Sequence, residues 1–159
     1  MTLFPTPSQT VGPFWAIALP WAAGPDLDPA GILVAGTLFD GAGTPISDGL
    51  LELWDPSRRA FGACGTSADG RFHFTAARPT GVEAGAPHWG LGVFARGLLC
   101  RIATRVYLPD EPTNLTDPVL AAIADPTIRA TLIAATDGPG LRFDVHLQGP
   151  HETAFLAWD

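Results

Sequence analysis

The sequence predicts an all-β chain, a β-sandwich carrying one short helical excursion near residues 117–135, and three observations carry that prediction. Eighteen glycines and 16 prolines divide 159 residues into short runs, the punctuation of strands joined by turns. Up to residue 115 no run has convincing helical periodicity. Several runs instead alternate apolar and polar residues, which puts every second side chain on one face of a strand.

The elements follow in order. TPSQTVGPFW (6–15) is uncharged, and Pro7 and Pro13 fix φ and remove amide donors, so residues 1–16 are expected to form an extended arm. ILVAGTLF (32–39) reads as a strand, DGAGTPISDG (40–49) as a loop of turn formers, and LLELW (50–54) as the next strand. ADG (68–70) marks a turn before RFHFT (71–75), with Phe72 and Phe74 on one side and Arg71, His73 and Thr75 on the other. HWGLGVFAR (88–96) and LCRIATRVYL (99–108) are close enough to pair as a hairpin through Gly97. DPVLAAIADP (117–126) and TIRATLIAA (127–135) have the alanine and leucine content of short helices, bounded by Asp-Pro steps. LRFDVHLQ (141–148) alternates throughout, with Leu141, Phe143, Val145 and Leu147 directed inward.

This length suits a single domain spanning 1–159 that buries most of its surface without disulfides or metals. The net charge is −7, and the nine basic residues are all arginines, dispersed without a basic stripe, which argues against nucleic acid as a partner. The opening MTLFPTPSQT has neither a basic nor an apolar leader region, and no run approaches a membrane span. A cytoplasmic protein is expected, with Cys64 and Cys100 as free thiols.

No complete active site is visible from the residues alone. The histidines at 73, 88, 146 and 151 form no dense metal motif, and the five-residue offset of His146 and His151 would place them on opposite faces of a strand. There is no GxSxG and no phosphate-binding glycine loop followed by a helix. One strand face is unusual: His88, Gly90, Gly92, Phe94 and Arg96 share it, and glycines inside a strand mark a bulge or the close approach of another backbone, a ligand or a partner. Arg96, at the end of that face, is a permanent cation able to hold a carboxylate by two parallel hydrogen bonds, or else a solvated or internally paired arginine.

Four stretches together carry a resemblance. TPSQTVGPFW, VAGTLFDGAGTPISDGLLELWD, PHWGLGVFARG with TRVYLPDEP after it, and RFDVHLQGPHETAFLAWD resemble, in the same order and over nearly the whole chain, the α chains of the protocatechuate 3,4-dioxygenase family of intradiol ring-cleavage dioxygenases. Shorter loops are expected around 22–31 and 56–64. The resemblance implies a β-sandwich and a hetero-oligomer of αβ units, in which a homologous β subunit holds a non-haem Fe(III) through two tyrosines and two histidines of a His-x-His pair. Here that pair reads His88-Trp89-Gly90, and WDPSRRAFGACG and RPTGVEAGAP contain no tyrosine, so the resemblance implies no metal and no catalytic residue in this chain alone.

It further implies that Thr10, Gly12, Pro13 and Phe14 wall the substrate pocket of the iron-bearing chain and that Arg96 faces the substrate carboxylate. Phe14 stands where the family often has tyrosine, keeping the ring without the hydroxyl. The implied reaction opens 3,4-dihydroxybenzoate with O2 between its hydroxyl-bearing carbons, giving 3-carboxy-cis,cis-muconate. Two other readings stay open: a stand-alone non-catalytic β-sandwich that binds aromatic acids or serves as scaffold, and an autonomous enzyme with a metal site on His88 and His73 or His146.

Overall fold

The computed structural model describes residues 7, 9, 10, 12, 19–81 and 85–157. Among the described residues nine strands form two sheets: β1 (Ile32–Phe39), β2 (Leu50–Asp55), β3 (Ala60–Gly65), β4 (Arg71–Ala76), β5 (His88–Phe94), β6 (Ile102–Tyr107), β7 (Ala135–Asp137), β8 (Gly140–Arg142) and β9 (Val145–His146). One sheet runs β4-β1-β8-β7 with β9 also on β1, and the other runs β3-β2-β5-β6. The sandwich core lies between them, where Val34, Leu38 and Phe74 of the first meet Leu51, Leu53, Trp89 and Val93 of the second.

The hairpin expected through Gly97 is present: His88 pairs with Tyr107 and Val93 with Ile102, and Gly97 takes the left-handed φ of +94° that the turn requires. In β4, Phe72 and Phe74 are buried while Arg71 and His73 are exposed, as the alternation predicts.

The stretch around 56–64 holds a strand that its composition does not announce: Ala60–Gly65 pairs residue for residue with β2, and tertiary pairing overrides the weak strand propensity of AFGACG. Two expectations need correction. The strand expected over 141–148 divides into β8 and β9, both parallel to β1 in one register. Between them the Asp144 carboxylate accepts from the Thr37 amide at 3.0 Å, replacing a ladder bond, and Leu141, Phe143 and Val145 stay buried. His146 and His151 are not on opposite faces: the chain turns after β9 and brings their rings to 5.9 Å, because the offset rule holds only along an uninterrupted strand.

The helical excursion is shorter than the two runs suggest. A 3-10 turn, Pro112–Thr116, precedes α1 (Pro118–Ala122) and α2 (Pro126–Ala130), and residues 131–135 leave the helix towards β7. Both Asp-Pro steps start helices, with Asp117 and Asp125 as N-caps and proline at the first helical position. This excursion covers the outer face of β6, where Tyr107, Leu120, Leu132 and Ala86 make a second small core. Cys64 is buried and Cys100 exposed, both as free thiols. Among the described residues no helix is long and apolar enough to cross a membrane.

Candidate functional site

The register of the four-stranded sheet assembles a row that no single segment contains. Phe61 of β3 pairs with Trp54 of β2, Trp54 with Gly90 of β5, and Gly90 with Arg105 of β6. Directly paired residues share a face, so the outer surface presents two aromatic rings, a gap with no side chain, and a guanidinium. The gap opens a cleft of about 700 Å³, lined by Trp54, Phe61, His88, Arg101 and Arg105 among others and closed on one side by Pro118 and Val119 of α1.

The two glycines of β5 serve different ends, and neither marks a bulge, since pairing on both sides is continuous. At Gly92 a Cβ would lie 2.3 Å from the Arg101 guanidinium, which crosses the glycine to reach Glu52 at 3.1 Å. At Gly90 a Cβ would meet Trp54 at no less than 3.7 Å, an ordinary contact. Gly92→Ala is therefore expected to displace Arg101 and cost about 0.5–1 kcal/mol, whereas Gly90→Ala is neutral or slightly stabilising. Urea denaturation of the two variants checks that order.

Beside the row lies a buried polar cluster. His88 is 7% exposed, its Nδ1 is 2.8 Å from the Ala86 carbonyl, and its ring packs on Tyr107 at 5.2 Å. A carbonyl only accepts, so Nδ1 carries the proton and Nε2 of the neutral ring is an acceptor. Burial holds the imidazole below its ordinary pKa; the Ala86 carbonyl opposes that depression and the Arg105 charge adds to it. The Tyr107 hydroxyl donates to Asp117 Oδ1 at 3.0 Å and accepts from Arg105 Nη1 at 3.1 Å. Burial raises this phenol to about 12, so it stays protonated.

A pH dependence follows from His88. The unfolded imidazole takes a proton near pH 6.5 and the folded one resists it, so stability is full above that pH and declines as pH falls towards the lower folded-state value. His146, also lowered by burial, acts in the same direction. Thermal midpoints at pH 7.5 and 5.5 should differ less in His88→Asn than in the unsubstituted chain; an equal difference would remove His88 from this account.

The residues proposed from the sequence for substrate contact lie elsewhere. Arg96 follows β5 and is 70% exposed; its Nε donates to Asp48 Oδ2 at 2.7 Å and its Nη2 closes a second contact on the same oxygen. Leu50 and Phe94 are paired strand residues, and carrying that register two residues further places Asp48 opposite Arg96. His88 opens β5 and Arg96 lies two residues beyond its other end, roughly 26 Å away along the strand direction at about 3.3 Å per residue. Thr10 is exposed, and Gly12 has φ +83° with no atom within 4 Å of a would-be Cβ. Pro13 and Phe14 lie outside the described residues.

Trp54, Arg105 and Asp117 were not singled out from the sequence. The signal for Arg105 was present: counting register along the hairpin through Gly97 puts it opposite Gly90.

The cluster does not fit a ferric ion. Gly90 supplies no donor, the Tyr107 oxygen is engaged on both sides, a guanidinium stands across from Gly90, and among the described residues His88 is the sole imidazole lining the cleft. Among the described residues no three His, Cys, Asp or Glu side chains converge as a metal site.

No family model matches the chain. It is 37% identical to the protocatechuate 3,4-dioxygenase alpha chain of Burkholderia cepacia across 98% of both chains, and 35% identical to that of Pseudomonas putida across 95% of both. The beta chain of the Burkholderia cepacia enzyme is 27% identical over 77% of this chain and 66% of its own length. Among solved structures, the dioxygenase domain of a dioxygenase carbohydrate-binding protein fusion from Streptomyces sp. SirexAA-E superposes with a TM-score of 0.64 and 27% identity, covering 92% of this chain and 99% of that one. With two sheets in one sandwich and whole-length likeness to two alpha chains, the chain belongs to the protocatechuate 3,4-dioxygenase alpha chains.

Proposed function

We propose that this chain is the non-iron-binding alpha subunit of a heteromeric protocatechuate 3,4-dioxygenase in the cytoplasm, working with a homologous beta subunit in αβ units. The enzyme cleaves 3,4-dihydroxybenzoate with O2 to 3-carboxy-cis,cis-muconate, and the ferric iron belongs to the beta subunit. The observation that carries this reading is likeness to two alpha chains along 98% and 95% of the sequence, in a chain whose own His88-Trp89-Gly90 stretch lacks the second imidazole.

On this reading residues 1–159 form one domain, and its arm and Arg96 complete a pocket on the partner. Arg96 holds the ring carboxylate and so fixes the diol end of the substrate at the partner's reacting centre. Thr10, Gly12, Pro13 and Phe14 wall the ring and help exclude water. Arg96 suits the role physically: Asp48 occupies its Nε side, and Nη1 makes no hydrogen bond among the described residues, leaving an outward edge for a second carboxylate.

The test is to co-express the tagged chain with a candidate beta chain and assay iron and O2 uptake on the complex and on each chain alone. Iron and uptake in the complex, with neither in the tagged chain alone, is the expected result. Stoichiometric iron and activity in the isolated chain would overturn it, and a chain that captures no beta partner and no iron would identify a stand-alone module.

A further inference from the structure

The cleft above Gly90 is far from Arg96, and the subunit reading gives it no role. Its walls differ in chemistry. On one side Trp54 and Phe61 are 39% and 47% exposed, and Trp21 stacks on Phe61 with centroids 6.2 Å apart, extending the aromatic shelf. On the other side is Arg105, half-buried, whose one hydrogen bond among the described residues goes to the Tyr107 hydroxyl. Its Nε is buried without a partner, and no carboxylate within 4 Å pairs with it among the described residues.

That arginine is an exception in the cleft. Arg101 is neutralised by Glu52, and the Asp117 carboxylate is taken by three backbone amides and the Tyr107 hydroxyl. A half-buried cation without a counter-ion among the described residues, facing an apolar wall, is an arrangement that an anion with an apolar body satisfies. Two strand spacings of about 4.8 Å separate Trp54 from Arg105, so roughly 10 Å is available with glycine between them, the span of one substituted aromatic ring. The volume of about 700 Å³ falls among small-molecule sites, which commonly join apolar walls to a few placed polar groups.

We propose that this cleft is a metal-independent binding site for a monocyclic aromatic carboxylate, with the ring against Trp54 and Phe61 and the carboxylate on Arg105. Gly90 is the residue that makes room: the strand accepts a Cβ there, and a larger side chain would fill the gap between ring and guanidinium. Arg96 takes no part, so this site and the subunit role fail or stand separately.

The experiment is isothermal titration calorimetry of the full chain with 4-hydroxybenzoate, which has no vicinal diol, beside its neutral counterpart 4-hydroxybenzamide. One equivalent of the acid should bind, with the amide at least tenfold weaker. Arg105→Gln and, by occlusion, Gly90→Leu should each weaken the acid at least tenfold, and Arg71→Ala, at an exposed arginine of the other sheet, should leave it unchanged. Gly90→Leu leaves the Arg105–Tyr107 contact in place and serves if Arg105→Gln fails to fold. No saturable binding at millimolar acid, equal binding of acid and amide, or full binding by the folded Arg105→Gln or Gly90→Leu chain would overturn the proposal. So would binding to the chain alone that disappears in the αβ complex, since the partner would then fill the cleft.

Discussion

Asp117→Ala is expected to lower the unfolding free energy by about 3–5 kcal/mol. Asp117 is fully buried and binds three separate parts of the structure. Oδ1 accepts from the Val119 and Leu120 amides at 2.9 and 3.0 Å, capping α1, and Oδ2 accepts from the Ala86 amide at 2.9 Å. The Tyr107 hydroxyl is the fourth donor, at 3.0 Å. Truncation loses a cap worth about 1 kcal/mol and strands buried donors at about 1–3 kcal/mol each, partly offset by water entering the vacated space. A five-residue helix cannot hold itself without such a cap. Urea denaturation gives the number, and a loss below about 1 kcal/mol would show that the second small core does not depend on this carboxylate.

The same residue sets an acid limb. Burial alone would raise its pKa, but the Leu120 and Ala86 amides, the Tyr107 hydroxyl and the Val119 amide outweigh it and hold the carboxyl below the usual range. The folded pKa is depressed, so the stabilisation is complete above the unfolded value near 3.9 and is lost as pH falls through the lower folded value. The decline attributed to His88 begins at a higher pH, which keeps the two effects separable.

How much of this was legible in the sequence depended on whether a feature is local or arises from register. The Phe72 and Phe74 alternation, the Gly97 turn and both Asp-Pro helix starts are local, and each stands where the residues place it. β3 was hidden because AFGACG earns its strand state from six pairings with β2. The glycines of β5 were visibly odd, yet their explanation lies across the sheet, in an Arg101 side chain over Gly92 and the Trp54 to Arg105 gap at Gly90. The Asp48 to Arg96 pair joins a loop to a strand end 48 residues later, and only the β2–β5 register makes them neighbours. The His146 and His151 error has the same origin, a strand period carried beyond the point where the strand ends.

Arg96→Ala in the assembled enzyme should raise KM for 3,4-dihydroxybenzoate by roughly 30- to 900-fold, the equivalent of about 2–4 kcal/mol for a charge-assisted carboxylate pair at a protein interface. Iron content should not change, because on the subunit reading the metal is on the other chain. In the isolated chain Arg96 is 70% exposed, and its pair with Asp48 is worth little to folding, so stability should move by less than about 1 kcal/mol. That separation distinguishes a substrate contact from a structural arginine. Asp48→Asn supplies the complementary measurement: it keeps an acceptor for Nε but removes the charge that holds the guanidinium in place, so KM should rise several-fold and less than in Arg96→Ala. A catechol without a carboxylate provides the control, since its KM should be nearly the same in all three enzymes. Unchanged kinetics on the carboxylated substrate in Arg96→Ala would remove Arg96 from the site and leave the arm residues as this chain's whole proposed contribution to the partner's pocket.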